Sequence, residues 1–146
     1  MNAPGQPTKA VGVSLENIKE YKKHFEYVIS EIEAVHFSEP ANLVVPDKKG
    51  NYRIPFIDKT IDILGDLMRS YEAMKKESKE NDIRETIQEL LEGVKDAKNI
   101  CSSINLCLKH EKHFEAFPNH LDKLAGNLRQ VISDFQKIGN LCSKKE

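Results

Sequence analysis

The side chains best suited to chemistry in this chain are histidines set beside a carboxylate or one another. Glu33-x-x-His36 has the spacing of one half of a carboxylate-bridged di-metal site, and His110-x-x-His113 puts two imidazoles on neighbouring positions of one helical face. His120 follows a few residues later. A di-metal centre of that kind needs a second Glu-x-x-His pair, which the sequence lacks, and it takes its ligands from the middle of a bundle rather than its end. His36, His110, His113 and His120 therefore also read as solvated residues that favourably terminate helices through the backbone dipole, and no cofactor is called for. There is no Gly-rich phosphate loop, no G-x-S-x-G elbow, no Cys-x-x-Cys and no H-E-x-x-H, which "HEKH" matches only superficially. Acidic residues fall mostly outside the apolar stripes, as on a solvated face, and the sequence points away from an enzyme.

The three cysteines carry no chemistry either. Cys101 and Cys107 lie on one helix and point about 240° apart around it, and an antiparallel layout keeps Cys142 far from both. Cys101 and Cys142 are expected as small buried residues and Cys107 as partly buried. Their odd number, and an N-terminus without a basic segment followed by an apolar run, predict a reduced, cytoplasmic protein. No apolar stretch approaches the roughly 20 residues that span a bilayer. Lys and Arg number 22 against 23 acidic residues, a balance that argues against a nucleic-acid-binding surface.

These residues must be positioned by helices. Residues 1–13 lack an apolar period and read as a loose leader. After Ser14, a candidate N-cap, Ile18, Tyr21, Phe25, Val28, Ile32 and Val35 step three and four apart and form one stripe, ending near His36. Pro55 suits the first turn of a second helix, with Ile57, Ile61, Leu64, Met68 and Tyr71 as its stripe. Asn81 is the expected cap of a third, whose stripe runs Ile83, Ile87, Leu90, Val94, Ala97, Cys101, Ile104 and Leu108. Pro118 opens a fourth, with Leu121, Leu124, Leu128, Val131, Phe135, Ile138 and Cys142. The pattern predicts an all-α protein: an antiparallel up-down four-helix bundle over residues 14–142, a long hairpin-like connection between helices one and two, and a short polar tail at 143–146. In that layout Gly65 and Gly93 come level on helices two and three and are expected to face each other.

The same layout gathers Phe37, Phe56, Phe114 and Phe117 at one pole, to which the long connection returns with Tyr52 and Ile54. "LVV" and "NYRI" around "PDKKG" read as two short extended arms, and the stretch is expected to lie over the phenylalanines and keep them from water. A free linker and a lid over a partner groove are the other readings. Phe37, Tyr52, Ile54, Phe56, Phe114 and Phe117 are thus the candidate binding pole.

"YRIPF", the helix running to "KKESKEN", "INL" and "FPNHLDKLAGNLRQVISDF" together resemble the N-terminal four-helix domain of mixed lineage kinase domain-like proteins and their fungal adaptor relatives, over roughly residues 50–140. The kinase domain of that family is absent, so the resemblance implies only an adaptor or regulatory role. It implies signalling or cell-death pathways, a protein partner and, in some members, peripheral lipid engaged through basic residues. On this chain Lys19, Lys22 and Lys23 are the candidates for that patch, diluted by Glu16, Glu20 and Glu26. The expected function is a non-enzymatic interaction module. The alternative is a small-molecule or metal-binding bundle that uses the His- and Phe-rich pole.

Overall fold

The computed structural model describes residues 15–35, 40–46, 49, 51–109 and 115–144. Four helices, α1 (Leu15–Ala34), α2 (Pro55–Glu77), α3 (Asn81–Lys109) and α4 (Phe117–Lys144), make up most of it. Between α1 and α2 a 3-10 turn (Pro40–Leu43) leads into β1 (Val45–Pro46) and β2 (Tyr52–Arg53), an antiparallel pair with Val45 opposite Arg53 and Pro46 opposite Tyr52.

Local chemistry sets the helix ends. Pro55 occupies the first helical position of α2 after an extended Ile54, where a missing N–H costs no hydrogen bond, and the Ile57 N–H reaches the Ile54 carbonyl at 3.0 Å. The helix stops where Ser78 turns extended, its N–H donating to the Met74 carbonyl at 2.9 Å. Asn81 is the first residue of α3 rather than its cap. The Glu80 carbonyl already accepts from the Arg84 N–H, and the Asp82 carboxylate takes the otherwise unused N–H of Ile83 at 2.9 Å.

Cross-helix contacts give the directions. His24 meets Thr60 while Tyr21, further back on α1, meets Asp66, further on along α2, so the two run antiparallel. Phe25 stacks on Phe135 while Glu33 pairs with Arg129, and α1 and α4 are antiparallel as well. Lys75 reaches Gln88 across the short α2–α3 link, and Lys137 reaches Glu89 between α4 and α3. The result is the expected up-down-up-down bundle.

Inside it, all eight stripe positions of α3 are buried, as are Leu121, Leu124, Leu128, Val131, Phe135 and Ile138 of α4. Phe135 lies between Phe25 and Tyr71, 6.2 Å from each ring, and ties three helices together at one level. Burial pushes the Tyr71 hydroxyl far above its usual range and the Cys101 thiol up to about 12, so neither ionises at neutral pH. The α2 stripe is rotated from expectation. Ile61 and Met68 are only partly buried, while Phe56, Thr60, Ile63, Leu67 and Met74 join Ile57, Leu64 and Tyr71 inside.

Two further expectations are corrected. Gly65 and Gly93 do not face each other: a Cβ on Gly93 would meet Val131 Cγ2 of α4 at 3.4 Å, and one on Gly65 would meet only Arg69 of its own helix, at 3.7 Å. Cys107 is buried and Cys142 half-buried, the reverse of the expected order, because Cys142 falls in the last turn of α4. All three cysteines are thiols.

The long connection docks by part of its length. Ile54 is fully buried and shares the core with Phe56 and Phe117, and Leu43 and Val44 pack against that core from outside. Val45, Tyr52 and Arg53 remain exposed. Phe37 and Phe114 lie outside the described residues. Replacing residues 43–54 with a Gly/Ser linker of equal length keeps the loop-closure entropy nearly constant, so any loss reports missing contacts. Ile54 alone is worth roughly 1.5–3 kcal/mol, and a fall of several degrees in Tm with helical circular dichroism retained is expected. An unchanged Tm would make the segment a free linker.

Candidate interaction surface

The seam between α1 and α2 is built around a polar chain that the apolar pattern had concealed. His24 stands four residues before Val28 and three after Tyr21, at core spacing, and is buried. Its Nε2 lies 2.8 Å from Thr60 Oγ1, and that hydroxyl donates to the Phe56 carbonyl at 2.6 Å. A hydroxyl has one proton, so Thr60 accepts from His24 Nε2–H, which fixes the tautomer. Burial, and then the charge of Lys59, hold the ring below its ordinary value of 6.5, against a smaller opposing effect of the Phe56 backbone. Neutral His24 therefore links α1 to α2 through Thr60, whose own proton goes to the backbone of its helix.

Above this chain an open groove of about 430 Å³ is lined by Glu20, Lys23, His24 and Tyr27 of α1 and by Pro55, Phe56 and Lys59 of α2. Tyr27 is 52% exposed and stands edge-on to Phe56, ring centroids 6.2 Å apart at 88°. Lys19 and Lys22 continue the basic side along exposed α1. Among the described residues, no ion pair engages Lys19, Lys22, Lys23 or Lys59.

Of the expected aromatic pole, Ile54 and Phe117 are core residues, closed to a partner, because both sit at helix starts that point inward. Phe56 is nearly buried but lines the groove, and Tyr52 is exposed on β2. His36, His110 and His113 lie outside the described residues, and His120 is half-buried on α4. Among the described residues, no group of three or more His, Cys, Asp or Glu side chains is placed to hold a metal. Nor is any helix among them long and apolar enough to cross a membrane.

A second buried polar group lies between α3 and α4. Asp134 is fully buried, and no donor is directed at its Oδ2. Gln130 Nε2 bridges Asp134 Oδ1 at 3.2 Å and Glu89 Oε2 at 3.3 Å, and Lys137 Nζ lies 3.9 Å and 3.5 Å from the same two oxygens. Burial first, then the hydrogen bond and charge of Glu89, push the Asp134 carboxyl up to about 7, while Gln130 and Lys137 oppose. Protonated, Asp134 donates to Glu89, whose own carboxyl is held below its usual range chiefly by that bond. The sign in its position is plain: Asp134 falls three residues after Val131 and four before Ile138, at core spacing.

On the opposite flank a wider groove of about 690 Å³ runs between α2 and α3, with Met68 and Leu91 among its lining residues. No protein-family model, no curated protein and no solved structure matches the chain.

Proposed function

We propose that this bundle is a non-enzymatic interaction module, an adaptor that engages a protein partner through the α1–α2 groove. The observation that carries this reading is Tyr27, a large ring left half in water on a nearly buried Phe56 and flanked by Lys23 and Lys59, which have no ion-pair partner among the described residues. Tyrosine in such a setting offers contact area at little conformational cost, and interface energy concentrates in residues of this kind. The signalling or scaffolding role implied by the sequence resemblance fits a surface that binds and does not react.

Placing a photo-crosslinking residue at Tyr27 in the full chain should trap a discrete protein adduct, whereas the same residue at exposed Gln136 of α4 should not. Lys23→Glu with Lys59→Glu should reduce the adduct at least tenfold while moving Tm by no more than about 2 °C, since exposed substitutions away from special features cost little. Identical adducts at both positions would remove the groove from consideration. Salt-sensitive binding to anionic vesicles, lost when Lys19, Lys22 and Lys23 are reversed, would instead assign this face to lipid.

A further inference from the structure

On the flank away from α1, Met68, Glu72, Lys75 and Lys76 of α2 line the groove, with Met68, Glu72 and Lys75 three and four residues apart and so on one face. Across the groove, α3 presents Arg84, Gln88, Leu91 and Lys95 with the same spacing. Met68 and Leu91 are only partly buried.

Charge along the groove is ordered. Lys75, Lys76 and Arg84 crowd the end nearest the α2–α3 link, Glu72 and Glu92 follow, and Lys95 lies beyond. Lys75 is held by the neutral Gln88, and among the described residues no carboxylate pairs with Lys76 or Arg84. Lys75 and Lys76 suit the last turn of α2, where the backbone dipole favours cations, but Arg84 stands near the start of α3, where the dipole disfavours it. The stability of its own helix does not account for Arg84.

We propose that the α2–α3 groove binds an amphipathic helix of a partner protein, with acidic residues at one end to meet Lys76 and Arg84. Its apolar face lies on Met68 and Leu91, in the mode by which such helices seat themselves as i, i+3/i+4 anchors. The acidic end and a basic residue that meets Glu92 are separated by about two turns, because Arg84 and Glu92 are about 12 Å apart along α3. This surface is distinct from the α1–α2 groove, and occupation of one leaves the other open.

The test uses the full chain and two fluorescent, helix-stapled peptides with the same leucine face, one acidic in its first turn and basic two turns on, the other with those charges exchanged. Fluorescence anisotropy should show saturable binding of the first and at least tenfold weaker binding of the second. Lys76→Glu with Arg84→Glu should reverse that preference. Leu91→Lys should weaken the first peptide at least tenfold with Tm kept within a few degrees, and Leu91→Met should retain binding. Tyr27→Ala should leave peptide affinity unchanged, which separates this proposal from the α1–α2 reading. Equal binding of both peptides, absence of saturable binding, indifference to Leu91→Lys, or binding to anionic vesicles in place of either peptide would overturn it.

Discussion

Val94→Asp and Ile104→Asp are each expected to leave little folded protein at 25 °C. Both side chains are fully buried in α3, and a carboxylate in either place has no partner to offset its desolvation. Such a burial costs several kcal/mol in addition to the lost apolar contact, against a total stability of about 5–15 kcal/mol for a domain. Circular dichroism at 222 nm should fall at room temperature, or a residual transition should lie tens of degrees below that of the wild type. Lys76→Asp, on the exposed face of α2, should keep its Tm within a few degrees. Small and similar losses for all three would mean that the α3 stripe does not face a core.

That stripe was legible because it runs unbroken, and the apolar residues of α3 outside it, Leu91, Ile100, Leu106 and Cys107, make no second stripe at three- and four-residue spacing. On α2 the apolar residues Ile61, Ile63, Leu64, Leu67 and Met68 form two overlapping faces, and choosing between them requires knowing where α1 and α3 stand. The level of Gly65 with Gly93 followed from chain direction, but which way each points depends on helix rotation, which residue counting does not contain. Residues of the candidate surfaces escaped for a related reason. His24, Thr60 and Asp134 each occupy a core position by spacing, yet an apolar scan skips polar residues. A polar residue at stripe spacing was the available signal, and the partner that satisfies it becomes visible only when two distant helices are brought together.

Asp134→Asn is expected to raise Tm by several degrees at pH 8, with the gain over wild type shrinking as pH falls towards 4. The carboxyl titrates near 7 in the folded chain against an ordinary value of 3.8, so the folded state holds a proton that the unfolded state has released. Its contribution to stability is fully present below about 3.8 and is lost as pH rises through about 7. Glu89 is shifted the other way: its contribution is present above its ordinary 4.5 and is lost as pH falls through its lower folded value. Between pH 4.5 and 7 the pair's slope is therefore that of Asp134. His24, held below 6.5, adds stability above 6.5 that is lost on acidification, so the two buried groups oppose each other and the wild-type profile alone understates both. Subtracting wild type from variant at each pH cancels His24. Asparagine keeps the shape and can still donate to Glu89, without a carboxylate to desolvate. A gain that stays constant from pH 4 to 8 would show that Asp134 titrates as an ordinary carboxyl.

The alternating directions of the four helices also determine how the molecule looks to an approaching charge. Each helix carries the equivalent of about half an elementary charge at either end, and in an up-down bundle neighbouring ends have opposite signs and largely cancel. Neither pole then projects a backbone field of its own. With a formal net charge of −1, the chain has almost no monopole to add. What remains are local side-chain clusters such as Lys75, Lys76 and Arg84, whose influence in physiological salt fades over about 8 Å. For the proposed interaction role this means that a partner would not be drawn in from a distance: encounter would proceed at the ordinary rate for uncharged surfaces, and selectivity would lie in how long a correctly charged partner stays.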